Sequence, residues 1–139
     1  MGYRRKAREL TLQTLYQSEI GGTEPLECFA LLCDNFKVDQ KVVPLAQTLL
    51  EGITAHIAEI DTLISQHAKN WRVGRMSIID RSLIRLGAYE VLFRDDVPAT
   101  VAINEAIEIA KRYSTTDAPA FINGILDAIS NGQSQQQRT

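Results

Sequence analysis

The chain has 139 residues, 45% hydrophobic and 23% charged, which is enough apolar content for one globular domain or two small lobes sharing a core and too much for a disordered tail. Seventeen acids and fifteen bases leave a formal net charge of -2, which excludes tight, indiscriminate attraction to nucleic acid by the field of the whole molecule. No apolar run approaches the roughly 18 residues that a membrane span needs, and the basic start leads into Glu9 rather than an apolar signal core. The expectation is a soluble, cytoplasmic protein with no membrane role, whose functional charge must be local.

Between four prolines and eight glycines, apolar residues recur at three- and four-residue spacings, which predicts an all-α protein. A first helix is expected from about Tyr3 to Ile20, with Ala7, Leu10, Thr14 and Leu15 inward and Gly21-Gly22 as its stop. Thr23 would cap a second helix that has Pro25 in its first turn, turns Leu26, Phe29, Ala30 and Cys33 inward, and ends near Phe36. After a connection from Lys37 to Val43, Pro44 places the start of a third helix carrying Leu45, Leu49 and Ile53. The stripe then continues through Ile57, Ile60, Ile64 and Ala68. Periodicity does not separate one long helix from two here, and we place a break near His56.

A connection from Asn70 to Arg75 holds the only tryptophan, after which Ser77 and Asp80 have the spacing of a capping box. The helix they open is apolar on nearly every side through Ile78, Ile79, Leu83, Ile84, Leu86, Tyr89, Leu92 and Phe93. It should therefore be enclosed by the others, ending at Arg94-Asp95-Asp96. Beyond Pro98 a sixth helix shows Ile103, Ala106, Ile107 and Ala110 on one face, with Glu108 at pairing distance from Lys111 and Arg112, and ends around Tyr113. Thr116 or Asp117 would cap a seventh helix with Pro119 in its first turn and Phe121, Ile125 and Ile129 inward. The expected organisation is a compact bundle of about seven helices over residues 1–130, in lobes of about 1–56 and 57–130, with a disordered polar tail at 131–139.

The residues offer little for catalysis. Cys28 and Cys33 are five apart, a spacing of no zinc or redox pair, and read as buried thiols. His56 and His67 lack a metal-binding arrangement, and Asp95 and Asp96, being adjacent, diverge rather than face each other as acid and base. Phosphate-cradling glycine loops and nucleophile elbows are lacking. No enzyme activity, metal or cofactor is expected.

What stands out is Arg4, Arg5, Lys6 and Arg8, four cations in five residues with no acid among them. On a helix Arg4 and Arg8 are four apart and Arg5 and Arg8 three apart, so they could meet one polyanion together, and guanidinium forks suit phosphate oxygens. A run this short is also a common solvated helix end. Tyr16 and Phe121 could stack on unpaired bases, although both lie on or near apolar stripes that would bury them. A second surface is the side of the central helix bearing Asp80, Arg81 and Arg85. Its two arginines are like charges four apart, unfavourable unless something answers them, which points to a partner as readily as to a solvated face.

Taken in order, these residues resemble the NusB family of bacterial transcription antitermination factors. The motifs are Arg4-Arg5-Lys6-Ala7-Arg8-Glu9-Leu10 running into Leu15-Tyr16-Gln17, Ile79-Asp80-Arg81 through Leu86-Gly87-Ala88-Tyr89-Glu90, and Asp96-Val97-Pro98. Val101-Ala102-Ile103-Asn104-Glu105-Ala106, Ala110-Lys111 and Phe121-Ile122-Asn123-Gly124-Ile125-Leu126-Asp127 follow, so the resemblance spans nearly the whole chain. It implies a two-lobed helical fold and pairing with NusE, a small-subunit ribosomal protein. It further implies binding of the pair to single-stranded boxA RNA of ribosomal RNA leader transcripts and, with other Nus factors on RNA polymerase, suppression of premature termination.

Residue by residue, the resemblance assigns RNA contact to Arg4, Arg5, Lys6 and Arg8, with Tyr16, Asp117 and Phe121 near the same surface, and places Asp80, Ile84 and Arg85 toward NusE. Four phosphate contacts on a single strand would give a salt slope of about -2.8. It leaves homodimerisation open. Thr11 and Thr14 stand where small apolar residues are common in the family, and Gly87 interrupts a helix at a cost of about 1 kcal/mol relative to alanine, a position that could allow close helix approach. Two other readings compete. One is a protein-binding helical scaffold; the other is an RNA-targeting module like the NusB-like domain of some ribosomal RNA methyltransferases.

Overall fold

The computed structural model describes residues 2–68 and 76–138, with side chains through residue 133. The connection read from Asn70 to Arg75 lies outside the described residues. Among the described residues there are seven helices and no strand. The chain divides into two compact units, Met1–Ala55 and His56–Thr139.

In the first unit α1 (Tyr3–Gly21), α2 (Pro25–Asn35) and α3 (Val43–Ala55) pack against one another pairwise. Helix α1 stops where Gly22 takes the left-handed conformation (φ 71°), which glycine adopts without a Cβ clash. Thr11 and Thr14 are fully buried, yet each hydroxyl donates to the carbonyl four residues back, Ala7 at 2.9 Å and Leu10 at 2.8 Å. With its donor satisfied locally, each threonine packs there as a small apolar residue would. The Cys28 thiol sits 3.8 Å from the Thr14 carbonyl oxygen and closes the same seam.

Helix α2 differs from expectation in its cap and its face. Glu24, not Thr23, is the N-cap, its carboxylate accepting from the Glu27 amide at 3.1 Å, while the Thr23 carbonyl accepts from the Ser18 hydroxyl. The buried side is Cys28, Phe29 and Leu32, whereas Leu26 and Cys33 are half-buried and Ala30 is exposed. Several registers fit so short an apolar stretch, and the packing against α1 and α3 selects among them. In α3 the inward set is Ala46, Leu49, Leu50 and Ile53, with Leu45 half-buried.

The second unit holds α4 (Ile57–His67), α5 (Ile78–Phe93), α6 (Ala99–Tyr113) and α7 (Ala118–Arg138). At its first residue, His56 leaves the helical conformation (φ -115°, ψ 16°) and its ring stacks on Phe93 with centroids 3.9 Å apart. Helix α5 opens on the expected cap, the Ser77 hydroxyl accepting from the Asp80 amide at 3.1 Å, and packs on α4, α6 and α7. Leu83, Ile84, Leu86 and Ala88 are buried, and Ile122, Leu126 and Ile129 of α7 are too. Each of these leucines and isoleucines contributes about 1.5–3 kcal/mol of burial. Gly87 has a packing reason: a Cβ there would stand 2.6 Å from Leu126 Cδ1.

Helix α6 buries Ala102, Ile103, Ala106, Ile109 and Ala110, so Ile109 takes the place expected of the half-buried Ile107. Helix α7 runs through Arg138, across most of the segment expected to be a disordered tail. Once Ile122 to Ile129 are docked, nucleation is complete, and each further residue adds one backbone hydrogen bond at low cost.

Candidate nucleic-acid interface

Helix α1 carries the basic run but does not present it as one strip. Counting 3.6 residues per turn, Arg4 and Arg8 share the face of Thr11 and Leu15, which is buried, while Lys6 shares that of Gln13 and Gln17, which is exposed. Arg4, one turn from the helix start, remains exposed, and its guanidinium lies 6.0 Å from the centre of the Tyr3 ring. Arg5 is half-buried and Lys6 exposed. Arg8 is 5% exposed and has interaction partners within the protein, as a buried cation must.

The sequence expectation of four cations on one polyanion is therefore corrected to three that reach solvent, because the helix turns Arg8 inward. Tyr16 is 40% exposed, with its ring available beyond the apolar stripe.

In the second unit, Asp117 is exposed immediately before α7 and Phe121 is half-buried in its first turn, where its amide donates to the Asp117 carbonyl at 3.3 Å. The connection ahead of them is tied back to α5: the Ser114 hydroxyl donates to the Asp80 carboxylate at 2.5 Å. Asp80 is thus half-buried and engaged rather than a bare acid on a surface.

The rest of the α5 surface departs further from expectation. Arg85 makes a two-pronged pair with Asp61 of α4, both N–H···O distances being 2.8 Å, and Arg81 donates to the Met76 carbonyl at 3.0 Å. The charges that were unanswered in the sequence are answered inside the unit. Asp61, 24 residues away on another helix, carried no sequence signal for this role. Ile84 is fully buried, so its placement toward a protein partner is corrected to a core position: its side of α5 is covered by neighbouring helices.

Other polar groups resolve as architecture. Arg94 pairs with Asp96 through two bonds of 3.0 and 2.8 Å, and that carboxylate raises the guanidinium pKa further. Burial raises the Cys28 and Cys33 thiols above the ordinary value, with Asp34 adding to the effect at Cys33, so neither is poised as a thiolate nucleophile. Among the described residues no three His, Cys, Asp or Glu side chains are grouped to hold a metal, and no helix is long and apolar enough to cross a membrane.

One surface feature was passed over in the sequence. At the end of α6, Lys111, Arg112 and Tyr113 are all exposed; Lys111 pairs with Glu108 at 2.7 Å, and the Arg112 guanidinium lies 5.4 Å from the centre of the Tyr113 ring. The signal was two cations followed directly by an aromatic, which the reading of α6 treated only as charge pairing. The chemistry available on these surfaces is cationic, aromatic and hydroxyl-bearing, suited to holding a polyanion.

The sequence model of the NusB family matches residues 5–131. The transcription antitermination protein NusB of Desulforapulum autotrophicum is 46% identical over 131 residues, covering 93% of this chain and 92% of its own. Among solved structures, T. maritima NusB superposes with a TM-score of 0.83 at 37% identity, covering 92% of this chain and 90% of that one. A chain of the crystal structure of antitermination factors NusB and NusE in complex with dsRNA superposes with a TM-score of 0.82 at 27% identity, covering 94% and 97%.

Proposed function

This chain belongs to the NusB family, and from that membership we propose that it is a transcription antitermination factor acting as an RNA-binding adaptor. With NusE it would bind the boxA segment of ribosomal RNA leader transcripts and, through further Nus factors, keep RNA polymerase from terminating early. The match of the family across residues 5–131 carries this reading. The NusB relative in complex with NusE and dsRNA supports RNA and NusE as the partners. The role requires no catalysis, metal or cofactor and belongs in the cytoplasm.

On this reading Arg4, Arg5 and Lys6 supply phosphate contacts, Tyr16 and Phe121 supply stacking faces, and Asp117 supplies a further RNA contact. The three cations that reach solvent would give this protein's own share of a single-strand salt slope of about -2.1, shallower than four would give. So few contacts make binding weak alone. NusE, docked near Asp80 and Arg85, would extend the surface and tighten it.

The test is fluorescence anisotropy of labelled boxA RNA, a scrambled strand and a boxA duplex, titrated with the protein alone and with NusE. Preference for single-stranded boxA that sharpens with NusE is the expected result. Equal affinity for all three RNAs, or no effect of NusE, would contradict the reading.

A further inference from the structure

Among the described residues, two pairs of an arginine and a tyrosine neighbouring in sequence stand on the surface. In the first unit Arg4 lies over Tyr3, within the basic run already assigned to RNA. In the second, Arg112 lies over Tyr113 at 5.4 Å, and Tyr113 is 45% exposed. Basic residues in the last turn of a helix are favoured by its dipole, which accounts for Lys111 and Arg112 as charges. It does not account for a tyrosine ring kept 45% exposed with a guanidinium 5.4 Å from its centre. Nor does the core use this ring: the inward residues of α6 are Ala102, Ile103, Ala106, Ile109 and Ala110.

We infer that Arg112 and Tyr113 form a nucleotide-binding ledge, on which the arginine takes a phosphate and the pair stacks a base of single-stranded RNA. The inference rests on the RNA-binding reading above and extends it to a position outside the residues carried over from the family. Tyrosine and arginine are the two side chains that combine a flat apolar face with hydrogen-bonding capacity, and unpaired bases are held on both kinds of plane. Held against the ring, the guanidinium loses less freedom when it meets a phosphate. The chain then passes through Ser114, Thr115 and Thr116, the two threonines exposed, to Asp117 and half-buried Phe121. A second aromatic thus follows eight residues after the first, with hydroxyl groups between them. Ser114 is fixed by its bond to Asp80, which anchors the connection so that the ledge faces RNA from a defined backbone.

The experiment uses the full chain with NusE and labelled boxA RNA, either as the boxA core or extended by three nucleotides at each end. Arg112→Ala, Arg112→Lys and Tyr113→Ala are compared with the parent over a range of salt. Both side chains are exposed, so circular dichroism melts should coincide.

For the extended RNA, Arg112→Ala is expected to weaken binding about tenfold and to reduce the salt slope by about 0.7, the value of one phosphate contact on a single strand. Arg112→Lys should keep the slope yet still lose about threefold, because the ammonium has no plane to stack. Tyr113→Ala should lose affinity with little change of slope. If the parent binds boxA but all three variants bind with its affinity and slope, the ledge is overturned and the adaptor role stands. Loss of NusE affinity in the absence of RNA would reassign the pair to the protein interface and also overturn it. A parent that does not prefer boxA would overturn both.

Discussion

The start of α1 and the body of α5 use arginine in opposite ways. Arg4 and Lys6 reach outward from α1 with their charge in water, whereas Arg81 and Arg85 of α5 are bonded to the Met76 carbonyl and to both oxygens of Asp61. The difference follows from position. A helix end leaves side chains room to extend, while a helix packed on three others must settle its charges against them. Cations of the first kind are available to a ligand with little rearrangement; those of the second belong first to the fold. Arg8 shows how narrow the boundary is, since one turn beyond Arg4, on the same face of the same helix, the guanidinium is already buried.

The largest effect expected from this contrast is at Ile84. Truncation to alanine should destabilise the protein by about 2–5 kcal/mol, the range for a buried isoleucine, measured by urea unfolding. NusE affinity measured well below the new midpoint should be nearly unchanged; a large loss of affinity with little loss of stability would return Ile84 to the partner surface. Next is Asp61→Ala, which strips Arg85 of its carboxylate and should cost about 1–2 kcal/mol. That is less than for a fully buried pair, because the Asp61 side chain is 31% exposed and partly screened. High salt should shrink the difference between parent and variant. Smaller again is Gly87→Ala. The new methyl group meets Leu126 at an overpacking cost of about 1–3 kcal/mol, offset by the roughly 1 kcal/mol that alanine gains in a helix. A net loss of about 1 kcal/mol in thermal unfolding is expected, and a stabilised variant would show that Leu126 moves aside freely.

These cases also mark what the sequence made legible. The Ser77 cap and the apolar girth of α5 could be read because both are local patterns, fixed by residues within a few positions of one another. The face of α2 could not, since an eleven-residue helix with seven apolar side chains fits several registers and its neighbours decide. At the candidate site, the basic character of the α1 start was evident in the residue types, but the inward turn of Arg8 was not. It depends on what packs against that face. Asp61 answers Arg85 from 24 residues away, a relation that no spacing rule contains. Arg112 and Tyr113 were visible as neighbours and passed over, because pairing with Glu108 already explained part of the segment.

The contrast between the two helices is tested most directly by the salt dependence of boxA binding in the presence of NusE, measured for the parent, for Arg4→Ala with Lys6→Ala, and for Arg85→Ala. Two lost phosphate contacts should flatten the slope by about 1.4 in the double variant, whereas Arg85→Ala should lower stability and leave the slope where it was. A slope that flattens with Arg85→Ala and stays constant in the α1 variant would contradict the account.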